Sequence, residues 1–168
     1  MLFRLILSAC AVVISASAAI AAELHPVTLE PITHAEAELV LVHPDGHETS
    51  YTPETLENFP TYRLRTTTPW RDEPADFDGI LLRDLLASAG LDSLDQIRTL
   101  AENDYSTTIP RELWENVTVL VATRVDGEPH TRRARGPIQF VIPMDEYTSS
   151  PVANESYLVW MAARIQPE

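Results

Sequence analysis

At 168 residues, with 45% hydrophobic and 22% charged side chains, the chain has the length and apolar content of one folded domain, which excludes a disordered, collagenous or multi-span membrane protein. All twelve basic residues are arginine, and against twenty-five acids they leave a net charge of -13. A chain this acidic does not hold a phosphate backbone or an anionic leaflet through bulk charge, so nucleic acid is excluded as a partner, and any anionic partner requires a local arginine cluster.

The first segment, residues 1–22, carries Arg4, then an apolar run from Leu5 to about Ile20, then small residues. This is the pattern of a secretory signal peptide cut after Ala21 or Ala22. Leu7-Ser8-Ala9-Cys10 superficially matches a lipoprotein cleavage box, but the apolar run continues well past Cys10, which argues against lipidation and against direct membrane binding after cleavage. Cleavage removes Arg4 and the only cysteine, leaving eleven arginines against twenty-five acids, or -14. The mature chain then forms no disulfide, thiolate metal site or cysteine nucleophile in the oxidising compartment it reaches. The leader lacks twin arginines, so transport unfolded is the simpler reading, and any cofactor would be met after export.

Residues 23–36 are polar and proline-bearing and are expected to form a flexible N-terminal arm ahead of a domain over 37–168. Ala37 to His43 alternates as a strand, Pro44-Asp45-Gly46 turns, and Glu48 to Thr52 returns as a hairpin. Thr52-Pro53 forms the N-cap and first residue of a short helix ending near Asn58. Tyr62 to Thr67 is a strand, and Thr68 to Pro74 is read as an irregular loop presenting Trp70. Asp78-Gly79 leads into a helix whose stripe is Leu81, Leu82, Leu85, Leu86 and Ala89, closed by Gly90. Ile97 to Ala101 and Ser106 to Ile109 are strands around Glu102-Asn103-Asp104-Tyr105. A helical turn runs from Pro110 to Glu115. Val117 to Val125 is nearly all apolar, as a strand buried on both faces must be, and Asp126-Gly127 turns it back. Ile138 to Ile142 and Tyr157 to Ile165 complete a β-rich α+β domain with several loops on one rim.

Few motifs carry chemistry. His43 and His47 are four apart, but the intervening Pro44-Asp45-Gly46 denies them the common helical face a shared metal would need. Asp72, Glu73, Asp76 and Asp78 lack the alternating ligand pattern of a calcium loop and read as a solvated loop. There is no G-x-S-x-G elbow, no G-x-G-x-x-G and no P-loop. Asn116-Val117-Thr118 and Asn154-Glu155-Ser156 match the glycosylation pattern by chance. What remains is Trp70; Asn103, Asp104 and Tyr105; Arg132, Arg133 and Arg135 before Gly136-Pro137; and Trp160. Loop aromatics with carboxylates and arginines suit a planar heterocycle, whose amino and ring N–H groups a carboxylate can accept in parallel. The same residues equally make core packing, a tight turn and a solvated arginine face, and on residues alone both readings stand.

The segments Phe77 to Gly90, Ala101-Glu102-Asn103-Asp104-Tyr105-Ser106 with Ile109-Pro110, Val119 to Ala122 with Asp126-Gly127, Gly136-Pro137-Ile138-Gln139-Phe140-Val141-Ile142-Pro143, and Val159-Trp160 with Ile165 follow one another in an order that resembles the molybdopterin-binding domain of the sulfite oxidase family. The match runs from about Leu39 to Ile165. Catalytic members place a cysteine just after the strand corresponding to Tyr62–Thr67, where this chain reads Thr66-Thr67-Thr68-Pro69-Trp70. They also commonly carry a basic residue after Gly-Pro, where Gln139 stands here. Without a thiolate the metal loses its protein ligand, so molybdenum is not expected and an enzymatic role is doubtful. The resemblance implies the small periplasmic subgroup that binds reduced pterin, as a non-enzymatic sensor or adaptor. Such a protein passes pterin status to the periplasmic domain of a membrane-bound cyclic-di-GMP enzyme. The alternative is a molybdopterin-dependent oxidoreductase or accessory subunit. The slot this implies is formed by Thr67, Trp70, Asn103, Asp104, Tyr105, Arg132, Arg135 and Trp160.

Overall fold

The computed structural model describes residues 23–168, so the expected signal peptide, with Cys10, lies outside the described residues. Two sheets make the domain. The first runs in the order β1 (Leu24–Pro26), β4 (Thr61–Thr68), β5 (Arg71–Leu81), β8 (Leu120–Val125) and β10 (Gln139–Val141), with β9 (Glu128–Pro129) added to β8. The second runs β3 (Glu48–Tyr51), β2 (Leu39–Val42), β11 (Ala162–Pro167), β6 (Gln96–Ala101) and β7 (Ser106–Pro110). In it β11 pairs parallel to β2 and antiparallel to β6. Four short helices connect them: α1 (Pro53–Leu56), α2 (Leu82–Ser88), α3 (Arg111–Asn116) and α4 (Met144–Ser149).

The hydrophobic pattern explains the layers. Along β8, Val121 faces the main core with Leu39, Ile80, Phe140 and Ile165, while Leu120 and Ala122 face a second cluster with Leu64, Phe77 and Val141. Period-two alternation with both faces covered requires the nearly continuous apolar run read from the sequence. In α2, Leu82, Leu85 and Leu86 are buried at helical spacing, and Gly90 closes the helix at φ +67° as expected. Each such leucine contributes about 1.5–3 kcal/mol. Thr52 caps α1 with Pro53 at its first position, and Asp126-Gly127 turns β8 into β9 with both residues at positive φ.

Several expectations are corrected. Thr68 to Pro74 is not a loop: β4 and β5 form a long hairpin, with Thr68 opposite Arg71 and only Pro69-Trp70 at the turn. Pairing resumes at Ala75 opposite Thr66 after a bulge, the kind of position where a strand tolerates Pro74. Asp78-Gly79 precedes α2 as expected, but as part of β5, which runs directly into the helix. There Asp78 is fully buried rather than solvated, and both its oxygens accept from Arg63. The final strand begins at Ala162, after a single 3-10 turn over Glu155–Tyr157 and a bend carrying Trp160.

The segment expected as a flexible arm is tied to the domain. Leu24 pairs with Leu64 on the β4 edge, and the Glu30 carbonyl accepts from buried Arg124. Arg124 and Thr123 both donate to Glu57, and the buried side chain of His34 packs its Nε2 3.0 Å from the same carboxylate. Charges this far from water need partners of this quality. The arm supplies part of the set.

Candidate functional site

Three chain turns converge at one end of the two sheets: the β4–β5 turn with Trp70, the β6–β7 turn with Asn103, Asp104 and Tyr105, and the bend before β11 with Trp160. Between them lies a cleft of about 360 Å³ lined by the apolar and aromatic Trp70, Trp160, Tyr105 and Leu158 and by the polar Asn103, Glu155 and Ser156. That volume falls within the ~300–1,000 Å³ of small-molecule sites, and the mostly apolar wall with a few polar groups fits the same class.

The two indoles meet edge to face, centroids 4.6 Å apart and planes at 86°. The Arg135 guanidinium stands over both, 5.2 Å from the Trp70 centroid and 4.7 Å from that of Trp160. All three side chains are half-buried. The Trp160 indole N–H and the Arg135 Nε–H are buried without an acceptor. A buried donor left unpaired is a costly feature that calls for a reason.

The backbone around the cleft is unusual. Asp104 (φ 65°), Arg135 (φ 81°) and Met161 (φ 51°) all adopt the left-handed conformation without being glycine. They are bonded to one another's segments: Glu102 N–H donates to the Met161 carbonyl, Met161 N–H to the Arg135 carbonyl, and Asp104 N–H to the Ala101 carbonyl. Strain of this kind concentrates where a binding geometry is over-determined. Bulges next to each tryptophan, at Thr66/Thr68 on β4 and at Ala162/Arg164 on β11, re-aim the chain at these points. Gly136 follows Arg135 because a Cβ there would stand 2.5 Å from the ring of His130.

His130 itself is buried, bonded through Nε2 to Gln139 Oε1 at 2.7 Å. Burial pushes its pKa below 6.5, opposed by the Gln139 bond and assisted by the nearby Arg71 and Arg135 charges. Gln139, standing where the resemblance expects a basic residue, thus serves as a neutral partner to a neutral imidazole. On the rim, Tyr105 donates its hydroxyl to the Ser156 carbonyl at 2.8 Å and its N–H to Asn103 Oδ1 at 3.2 Å.

Of the residues the sequence singled out, the structure brings together Trp70, Asn103, Tyr105, Trp160 and, over the rings, Arg135. It does not bring in the other three. Arg132 is committed elsewhere, bidentate on Glu102 with a further bond to the Glu36 carbonyl, beside a separate hollow. Asp104 sits exposed at the apex of its turn, and the carboxylate lining the cleft is Glu155. Thr67 lies in the β4 bulge, off the lining. Glu155, Ser156 and Leu158 escape sequence reasoning because that stretch reads as the lead-in to a strand. The only local signal is Asn154, whose Oδ1 accepts from Ser156 N–H to start the 3-10 turn.

No protein-family model matches the chain, and neither does any curated protein sequence. Among solved structures it is similar to the sulfane dehydrogenase SoxCD from Paracoccus pantotrophus, with a TM-score of 0.59 at 15% identity over 82% of this chain. The chain spans 39% of the length of that protein. At this identity the likeness is one of fold. It agrees with the β-rich α+β, single-domain architecture and with a distant relation to the sulfite oxidase type of fold.

The residues present do not fit molybdenum held by a protein thiolate. At the end of β4 stand three threonine hydroxyls, and that of Thr66 already accepts from Met144 N–H and donates to the Thr67 carbonyl. Among the described residues no group of three or more His, Cys, Asp or Glu side chains is placed to hold a metal ion. What the lining does offer is two indole rings and one acidic side chain, Glu155.

Proposed function

We propose that the protein is an exported pterin-binding protein that acts as a sensor or adaptor in the periplasm rather than as an enzyme. The observation that carries this reading is the cleft walled by Trp70 and Trp160. A reduced pterin is flat on its pyrimidine side, and stacking on an indole contributes on the order of 1–3 kcal/mol, by analogy with bases on aromatic residues. Glu155 is the carboxylate that accepts the amino and ring N–H pair, through charge-assisted bonds about twice as strong as neutral ones. Asn103 and Ser156 supply further polar groups in the lining.

The signalling step follows from charge and from the resemblance. With eleven arginines against twenty-five acids after cleavage, a net charge of -14, the protein would meet a basic face on a receptor. In this reading the receptor is the periplasmic domain of a membrane-bound cyclic-di-GMP enzyme. Such an encounter gains association rate from long-range attraction and loses it as salt rises. The oxidoreductase alternative is favoured by one finding, the fold shared with a dehydrogenase, and stoichiometric molybdenum in protein purified from its native periplasm would establish it.

The test is anaerobic titration of the mature protein with tetrahydropterin and its oxidised form, followed by calorimetry and tryptophan fluorescence. The expected result is binding of the reduced form with indole quenching, weakened roughly 5- to 150-fold in Trp70→Ala, as the loss of one stacked ring predicts. Absence of heat and of any fluorescence change would end the pterin reading.

A further inference from the structure

We infer that the ligand of the Trp70–Trp160 cleft carries an anionic group, and that Arg135 receives it. This rests on the pterin reading and narrows it to flat heterocycles bearing a carboxylate or phosphate substituent.

Arg135 is the anomaly. Among the described residues, Arg63, Arg65, Arg71, Arg83, Arg98, Arg111, Arg124, Arg132 and Arg164 each stand within ion-pair distance of a carboxylate. Arg133 and Arg135 do not, and Arg133 is exposed to water, where a lone cation costs nothing. Arg135 is half-buried, its Nε–H has no acceptor, and its guanidinium lies over two indoles. In a chain with twenty-five acids to twelve arginines, a half-buried arginine with its Nε out of water has been left beside the cleft without a carboxylate.

Its placement is also constrained. Arg135 occupies the left-handed region at φ 81°, held by its own N–H on the Arg132 carbonyl and by Met161 N–H on its carbonyl. A non-glycine residue in this conformation is strained. Here the backbone sets the guanidinium where it meets both ring faces. The guanidinium is a rigid planar fork of N–H donors, matched to the paired oxygens of a carboxylate or phosphate and still able to stack on aromatic rings. The nearby Trp160 N–H is a second buried donor without an acceptor.

Glu155 gives the cleft polarity. Glu155 is the acidic residue among those lining the cleft and is opposite in charge to Arg135, so a ligand with an N–H-rich edge and an anionic tail is favoured with its edge toward Glu155 and its tail toward Arg135. Reversal would set the anion against Glu155. A neutral pterin would satisfy the rings and Glu155 but leave Arg135 as it is now.

The experiment is calorimetry of the mature protein and of Arg135→Gln with three reduced pterins whose side chains are neutral hydroxyalkyl, carboxylate-bearing and phosphate-bearing. The anionic ligands are expected to bind wild type at least about tenfold tighter than the neutral one, as a charge-assisted bond pair predicts. The ranking of the two identifies which anion is taken. In Arg135→Gln that advantage falls below about twofold, whatever the change in neutral-pterin affinity from losing the guanidinium over the rings, with a retained urea-unfolding transition showing the variant to be folded, and in wild type the advantage shrinks with added salt. If all three bind wild type equally, the inference fails and the pterin reading stands. Should none bind, both fail together.

Discussion

The indole of Trp160 meets that of Trp70 edge to face with centroids 4.6 Å apart, although ninety residues separate them in the chain and they sit on different sheets. Each is delivered by a turn beside a bulge, the first at the β4–β5 turn and the second just before β11. A cleft wall made from one side chain of each sheet reports on their mutual position as well as on any ligand.

That contact gives a spectroscopic expectation. Two indoles this close couple their strong far-ultraviolet transitions, so the far-ultraviolet dichroism should contain a paired band of opposite signs that vanishes in both Trp70→Phe and Trp160→Phe. Truncation of Trp160 to alanine should cost about 0.5–1.5 kcal/mol for the ring pair beyond the area lost, read by urea unfolding. A paired band surviving either single variant would contradict the geometry.

Gly79 has the closest backbone approach of the described glycines. A Cβ there would stand 2.1 Å from the Val121 carbonyl oxygen and 2.8 Å from the Ala122 Cα, both backbone atoms that cannot swing aside. Gly79→Ala should therefore destabilise by about 1–3 kcal/mol or more through overpacking. At Gly46, open space surrounds the added methyl and only the φ of +89° resists it, so Gly46→Ala should cost about 1–2 kcal/mol. A loss below about 1 kcal/mol in Gly79→Ala would show the β5–β8 pairing at Ala122 to be looser than described.

Buried ionisable groups predict how stability follows pH. Burial alone would raise the Glu57 pKa, but the hydrogen bonds from Arg124 and Thr123 with the His34 and Arg124 charges outweigh it and hold it below 4.5. A depressed carboxylate contributes stability that is complete above its unfolded value and is lost as pH falls through the folded one. His130, depressed below 6.5 by burial, acts in the same direction: it is neutral in the fold, and its contribution is lost as pH falls below about 6.5. Unfolding free energy should thus decline in two stages, the first beginning near pH 6.5 and the second below pH 4.5. His130→Gln should remove the first stage. Arg124→Met should cost about 3–5 kcal/mol at neutral pH by stranding Glu57 and diminish the second. A stability flat from pH 7 to 5 would refute the assignment to His130.

Local patterns were sufficient for the elements whose signals lie within a few residues. The α2 stripe with its terminal Gly90, the Thr52-Pro53 cap, the Asp126-Gly127 turn and the two-faced burial of β8 all follow from short-range periodicity and turn chemistry, and they were legible before any coordinates. Cys10 as the only sulfur able to serve as a thiolate is likewise a matter of composition. Tertiary structure decided the rest, because it depends on partners far along the chain. Pro69-Trp70 became a hairpin turn through ladder bonds between β4 and β5, and residues 23–36 were fastened by pairing with β4 and by the charges of Glu57 and Arg124. Arg132 was drawn away from the cleft by Glu102, thirty residues distant, while Glu155 entered it on a 3-10 turn with no periodic signature. Which arginine is left without a carboxylate is a property of the whole folded charge arrangement. The types of residue available for a site are written in the chain, but their pairing, and hence which of them remain free to bind, is fixed only when distant segments compete for the same partners in three dimensions.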